Sequence, residues 1–201
     1  RILRRAVDNV PLAAACYAPD GVYPEGPIYW NYGTSFQVVL IESLRSALGT
    51  DFGLAAMPGF LGSAAAVLHH TGPTGLLYGF ADGASSARNL PLLLWFDAEG
   101  AVSLPAAAPE RGMAEGRGLS ADRLAPLAAF WIGRLSTPAA SGAALPLDLC
   151  GRGTQPVLTM RGAWGDPEAW YLGVKGGSPQ GPHGHMDGGS FILEAHGVRW
   201  V

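Results

Sequence analysis

Apolar positions in the first two-thirds of the chain recur at helical spacing. Residues 1–17 read as the end of a helix, stopped by the turn-forming run Ala18-Pro19-Asp20-Gly21. The stretch 22–33, VYPEGPIYWNYG, carries two prolines and two glycines and reads as an aromatic loop, because that content opposes a regular helix throughout. Thr34-Ser35-Phe36-Gln37 then matches a capping box, which predicts a helix starting at Thr34. Phe36, Leu40, Leu44 and Leu48 follow at i+4 spacing as one apolar stripe, with Gly49 as the stop. Two more helices are expected over 59–70 and over 85–100, the latter kinked at Pro91. Ser120 is placed to cap a fourth over 121–135.

After about residue 140 the period changes. Segments 156–164, 169–177, 189–197 and 198–201 are short, rich in β-branched and aromatic residues, and separated by GDPE and GSPQGPHG. Ala195-His196-Gly197 reads as a hairpin turn, with His196 solvated. Helices followed by antiparallel strands predict an α+β chain of two domains, 1–140 and 141–201, divided within the Pro/Ala/Gly-rich run 136–146.

Composition narrows the functional classes. With 48% hydrophobic and only 14% charged residues, the chain has material for a sizeable core and does not resemble a disordered or nucleic-acid-wrapping protein. The net charge of −3 gives no global capture of a polyanion, so an anionic substrate has to be held by local residues. No apolar run is long enough for a membrane-spanning helix. Cys16 and Cys150 lie far apart without a CxxC, and read as two buried thiols in preference to a disulfide. The sequence opens without Met or a signal-peptide core and closes on strand-like residues, so both ends are expected to be cuts within a longer protein.

Two clusters carry candidate chemistry. In Pro182-His183-Gly184-His185-Met186-Asp187, an extended backbone would put His183, His185 and Asp187 on one face. That spacing suits a two-His-plus-carboxylate metal site, a catalytic histidine beside a structural one, or a polar strand start. The loop 22–33 gathers Tyr23, Glu25, Tyr29, Trp30, Asn31 and Tyr32 beside Asp20. Such residues either stack on sugar rings and move protons through tyrosine hydroxyls, or pack as core. His69 and His70 diverge on a helix and are poorly placed to share a metal; Asp82 in YGFADG reads as a turn residue. Arg161, in the otherwise apolar segment TMRGAW, is either paired or facing a cleft. No phosphate-binding loop, dinucleotide fingerprint or nucleophile elbow is present.

PDGVYPEGPIYWNYG at 19–33, followed much later by GPHGHMDGGSFILEAHGVRWV at 181–201, resembles the heparinase II/III-like polysaccharide lyases. YGFADG and MRGAWGDPEAWYLGVKGG resemble the stretches between. The resemblance implies part of an α/α toroid over 1–140 and the start of an antiparallel β-sandwich over 141–201. It implies β-elimination on uronic-acid glycans such as heparan sulfate or alginate, with an anionic polysaccharide or oligosaccharide as the partner, no nucleic acid or membrane, and a periplasmic or secreted location. Tyr29 matches the catalytic tyrosine, and His183 the histidine acting as base or carboxylate partner. His185 matches a position that ligates zinc in zinc-containing members, whose remaining ligands would fall beyond Val201. Glu25 and Tyr32 match flanking, substrate-orienting positions; Asn31 stands where some members carry a substrate-contacting arginine, and Arg161 joins the substrate-binding set. Members also place a carboxylate-neutralising Asn or His pair upstream, where residues 1–16 offer only Asn9. Two other readings stay in play: an inactive glycan-binding relative and a structural metal-binding β-domain.

Overall fold

In the computed structural model, described over residues 1–86, 90–105, 108–112, 125–135 and 145–201, the chain begins with helix α1 (Ile2–Ala14). A 3-10 turn, Ala15–Tyr17, ends it, and the Gly21 N–H closes on the Tyr17 carbonyl at 2.7 Å within the predicted stop. Helix α2 (Gly26–Leu48) starts eight residues before the expected Thr34, inside the stretch read as a loop. Pro27 accounts for this: in the first turn its missing N–H costs no hydrogen bond and its fixed φ suits the helix. Thr34 and Ser35 are therefore not caps. They are buried within the helix, where the Thr34 hydroxyl meets Tyr17 Oη at 2.8 Å and the Ser35 hydroxyl donates to the Asn31 carbonyl. The core-facing stripe is Trp30, Val38, Ile41 and Leu44, whereas Phe36 and Leu48 are exposed. Gly49 does end the helix, in the left-handed conformation at φ 72°.

Helix α3 (Ser63–His69) forms within the predicted span, and Ser63 accepts from Trp30 Nε1 at 2.8 Å. Helix α4 (Leu92–Ala98) is not kinked by Pro91 but begins directly after it. Short helices α5 (Pro109–Gly112) and α6 (Ala125–Ile132) follow; Ser120 lies outside the described residues.

The strands are β1 (Asp148–Cys150), β2 (Val157–Arg161), β3 (Tyr171–Lys175), β4 (Phe191–Ala195) and β5 (Val198–Arg199). They form one antiparallel sheet in the order β1-β2-β3-β4-β5. Sequence patterning located the last four and missed β1. The β4–β5 turn does fall at His196-Gly197, with φ of 53° and 69° and the His196 side chain exposed. Helices followed by an antiparallel sheet make this an α+β chain.

Packing groups residues 1–87 with 146–201 as one compact unit and 88–145 as another. This division is drawn by contacts and is not the sequential one expected at 140/141. In the first unit, Val22, Ala66, Tyr78, Phe80 and Val157 cluster with Leu149 and Ile192 against them, so residues from early loops and late strands share one core. In the second, Asp97 pairs with Arg111 at 2.7 Å and also accepts the Leu104 N–H. Both cysteines are free thiols; Cys16 is half-buried, and Cys150 is exposed rather than buried. Among the described residues no helix is long and apolar enough to cross a membrane.

Candidate active site

Three chain segments converge in the first unit. Gly26, at φ +83°, precedes α2, and a Cβ there would lie 2.8 Å from the Phe80 carbonyl oxygen. Only glycine combines that conformation with that approach, so the turn 78–83 lies directly on the start of α2. The turn closes through the Gly83 N–H on the Phe80 carbonyl at 3.2 Å, with Ala81 held at φ 55°. It presents the exposed side chain of Asp82.

The third segment links β3 to β4. Its base is closed by the Gly189 N–H on the Lys175 carbonyl (2.6 Å) and the Lys175 N–H on the Ser190 carbonyl (2.9 Å). The Lys175 ammonium, fully buried, forms an ion pair with Asp187. At the tip the Gly184 N–H donates to the Gly181 carbonyl at 2.9 Å, and a Cβ on Gly184 would sit 2.6 Å from the Pro179 oxygen. His183 takes the left-handed region at φ 54°. The segment is thus a turn and not an extended strand start. Alternation does not align His183, His185 and Asp187; the two histidines go one way and Asp187 returns to Lys175.

Asp82 joins the histidines. Its Oδ2 lies 2.6 Å from His183 Nδ1 and its Oδ1 lies 2.7 Å from His185 Nε2. These two hydrogen bonds hold the Asp82 carboxyl below the usual carboxylate range. The His183 ring stacks on Tyr29, with centroids 4.3 Å apart and planes at 28°. Tyr29 and His183, paired from sequence by resemblance, are in contact, and Tyr29 comes from the first turn of α2. Burial pushes the Tyr23 phenol up to about 12 and raises Tyr17 further, so both stay protonated.

The remaining candidates divide. Tyr32, three residues along α2 from Tyr29 and hence on a neighbouring face, is exposed, with its ring edge-on to Phe36 at 5.5 Å. Glu25 is the N-cap residue of α2, without a side-chain cap bond, and Asn31 is half-buried on the same helix. Asn9 is exposed and donates to the Arg5 carbonyl of its own helix. Arg161 is the clear departure. It is 5% exposed, and its Nη2 donates to the carbonyls of His69 (3.1 Å) and Thr71 (2.9 Å) at the end of α3. Its guanidinium lies 3.5 Å from the Trp164 ring centroid, so its polar head serves the interior instead of an open surface.

Asp82 was the residue that sequence reading passed over as a turn. It lies 101 positions before His183, and no local pattern announces a contact that only the fold creates. His185 Nε2 meets Asp82, and among the described residues no group of three or more His, Cys, Asp or Glu side chains could by itself hold a metal ion; the zinc ligands implied by resemblance beyond His185 would lie outside this chain.

Neither a protein-family model nor a curated protein matches the chain. Among solved structures, the chain is similar to a heparan sulfate lyase HepC mutant from Pedobacter heparinus, at 18% identity and a TM-score of 0.57. The match covers 98% of this chain and 27% of that one, so this chain spans about a quarter of the neighbour's length and shares the fold of that part.

Proposed function

We propose that this chain carries the Tyr/His portion of a polysaccharide-lyase site that cleaves uronic-acid glycans by β-elimination. The observation that carries this reading is the Tyr29–His183 stack, which puts a phenol and an imidazole from distant segments side by side. β-Elimination requires a base to remove the proton α to the uronate carboxylate. It also requires an acid to protonate the departing glycosidic oxygen, with the carbon–oxygen bond breaking as the carbon–carbon double bond forms. His183 is suited to hold or take the first proton and Tyr29 to deliver the second. Tyr32 and Glu25, flanking Tyr29, are read as orienting the sugar, with Asn31 beside them. The fold shared with a heparan sulfate lyase supports this reading. Polymers of this kind are met outside the cytoplasm, so we place the protein in the periplasm or outside the cell.

The test is incubation of the whole protein with heparan sulfate, alginate and other uronides, following the ultraviolet absorbance of the unsaturated product. Tyr29→Phe and His183→Ala are each expected to lower turnover by about 10²- to 10⁴-fold, the span of general acid–base contributions. Tight glycan binding without product would replace the lyase reading with that of a non-catalytic binder. A cytosolic location on cell fractionation would remove the proposed compartment.

A further inference from the structure

Asp82 touches both histidines, and through different ring nitrogens. We propose that Asp82 is a positioning residue that fixes the two imidazoles in opposite tautomers. His183 then carries its proton on Nδ1 and keeps Nε2 free, while His185 carries its proton on Nε2 and keeps Nδ1 free.

The argument starts from the inventory of donors. An ionised carboxylate only accepts hydrogen bonds, and a neutral imidazole has one N–H and one lone-pair nitrogen. His183 Nδ1 lies 2.6 Å from one carboxylate oxygen and His185 Nε2 lies 2.7 Å from the other. Each of these nitrogens must therefore be the protonated one, and the free nitrogen of each ring is the opposite one. Asp82 is itself held in place: its turn lies against the start of α2 through Gly26 and Phe80, with Ala81 at φ 55°. His183 is consequently fixed twice, in its plane by Asp82 and on its face by Tyr29 at 4.3 Å. The nearest charges at the base of the loop, Lys175 and Asp187, are paired with each other. For His183 the consequence is chemical. A base must present a lone pair, and Asp82 makes that lone pair Nε2 while stabilising the positive charge the ring gains on taking a proton. This catalytic consequence rests on the lyase reading, but the tautomers do not.

The first experiment is long-range proton–nitrogen NMR on the histidine-labelled chain, with pH raised until the ring signals no longer change. The expected pattern is Nδ1–H for His183 and Nε2–H for His185. In Asp82→Ala, His183 is expected to shift toward the Nε2–H form that a free imidazole favours, and in Asp82→Glu to return toward Nδ1–H. An Nε2–H signal for His183 in the unaltered chain overturns the proposal, and that measurement needs no variant to fold. The second experiment uses the whole protein on a uronide it cleaves. Asp82→Ala is expected to lower kcat by about 10- to 100-fold with little change in KM, and Asp82→Glu to recover part of the loss. An unchanged kcat alongside a shifted tautomer removes the positioning role. If the unaltered protein cleaves nothing, the lyase reading fails while the NMR result still decides the tautomers.

Discussion

Arg161 shows what becomes of an isolated charge in an apolar strand. Its position on β2 alternates inward with Val157 and Thr159, so its side chain enters the interior, where an unpaired cation would be costly. It donates to the carbonyls at the C-terminal end of α3, the negative pole of a helix, sharing that of His69 with the Tyr171 hydroxyl, and lies on Trp164. Burial pushes its guanidinium down to about 10, so it stays protonated at neutral pH. Arg161→Met keeps the aliphatic stem but leaves the His69 and Thr71 carbonyls without this donor. It is expected to lower unfolding stability by roughly 3 kcal/mol in a denaturant titration, the scale of hydrogen bonds to a charged group. A loss under about 0.5 kcal/mol would sink this account, since that is the range of ordinary surface substitutions. From sequence the arginine could be narrowed to paired or cleft-facing but not resolved, because its acceptors lie 90 and 92 residues upstream. Asp82 was less legible still: a turn aspartate looks the same whether or not a distant loop brings histidines to it. Tyr29 and His183 could be paired only by resemblance, since neither periodicity nor spacing links residues on a helix and a loop so far apart in the chain.

Among elements, α3 joins local sequence to global stability. Its C-terminal His69 and His70 diverge as helix geometry requires, His69 meeting Trp164 edge-on at 5.1 Å and His70 meeting Phe80 at 5.4 Å. Burial is the main reason both titrate low, His69 at about 4 and His70 at about 3. Arg161 adds repulsion to both, His69 also to His70, and only Asp148 opposes this at His69. In the unfolded chain both rings protonate near about 6.5, so below that pH the unfolded state binds more protons. The stability contribution is therefore complete above about pH 6.5 and is lost as pH falls toward about 4 for His69 and about 3 for His70, by about 1.4 kcal/mol per pH unit for each ring. His70→Phe, which suits its aromatic surroundings, is expected to reduce that slope by about one ring's share, measured as denaturation midpoints between pH 6.5 and 4.5. An unaltered slope would mean that His70 does not contribute. Every helix except the short α5, and the last four strands, were legible as elements because period and turn residues are local signals. The start of α2 was misread because Thr34 to Gln37 spell a cap while serving as buried helix interior, and Pro27 was the better signal.

At the scale of the whole chain, the inward face of the sheet is mixed: Val157, Leu149 and Ile192 join the apolar core, but charged side chains are buried beside them. Inward positions include Thr159, Arg161, Tyr171, Lys175 and Glu194, all buried, with Glu194 paired to Arg199 and accepting the Thr74 N–H at 3.0 Å. The opposite face carries Leu158, Met160, Leu172 and Val174, half-buried, and Phe191, Leu193 and Val198, exposed, with exposed Trp200 beside them. Strand alternation was readable, but which face turned inward was not, since both faces carry apolar residues and the charges sit on the inward one. The charges on the inward face are accommodated because each meets a partner there: Arg161 the end of α3, Lys175 Asp187, and Glu194 Arg199. An apolar sheet face left in water favours association and dye binding, because covering it releases apolar surface from solvent. The 201-residue chain by itself is therefore expected to bind a hydrophobic fluorescent dye while folded, and to self-associate as concentration rises. Replacing Phe191, Leu193 and Trp200 together by Ser should suppress both effects. Because all three are already exposed, the stability cost should be small, about 0.5 kcal/mol or less at each position. A chain that stays monomeric at high concentration and ignores the dye would show that this face is less available to solvent than the positions of these side chains indicate.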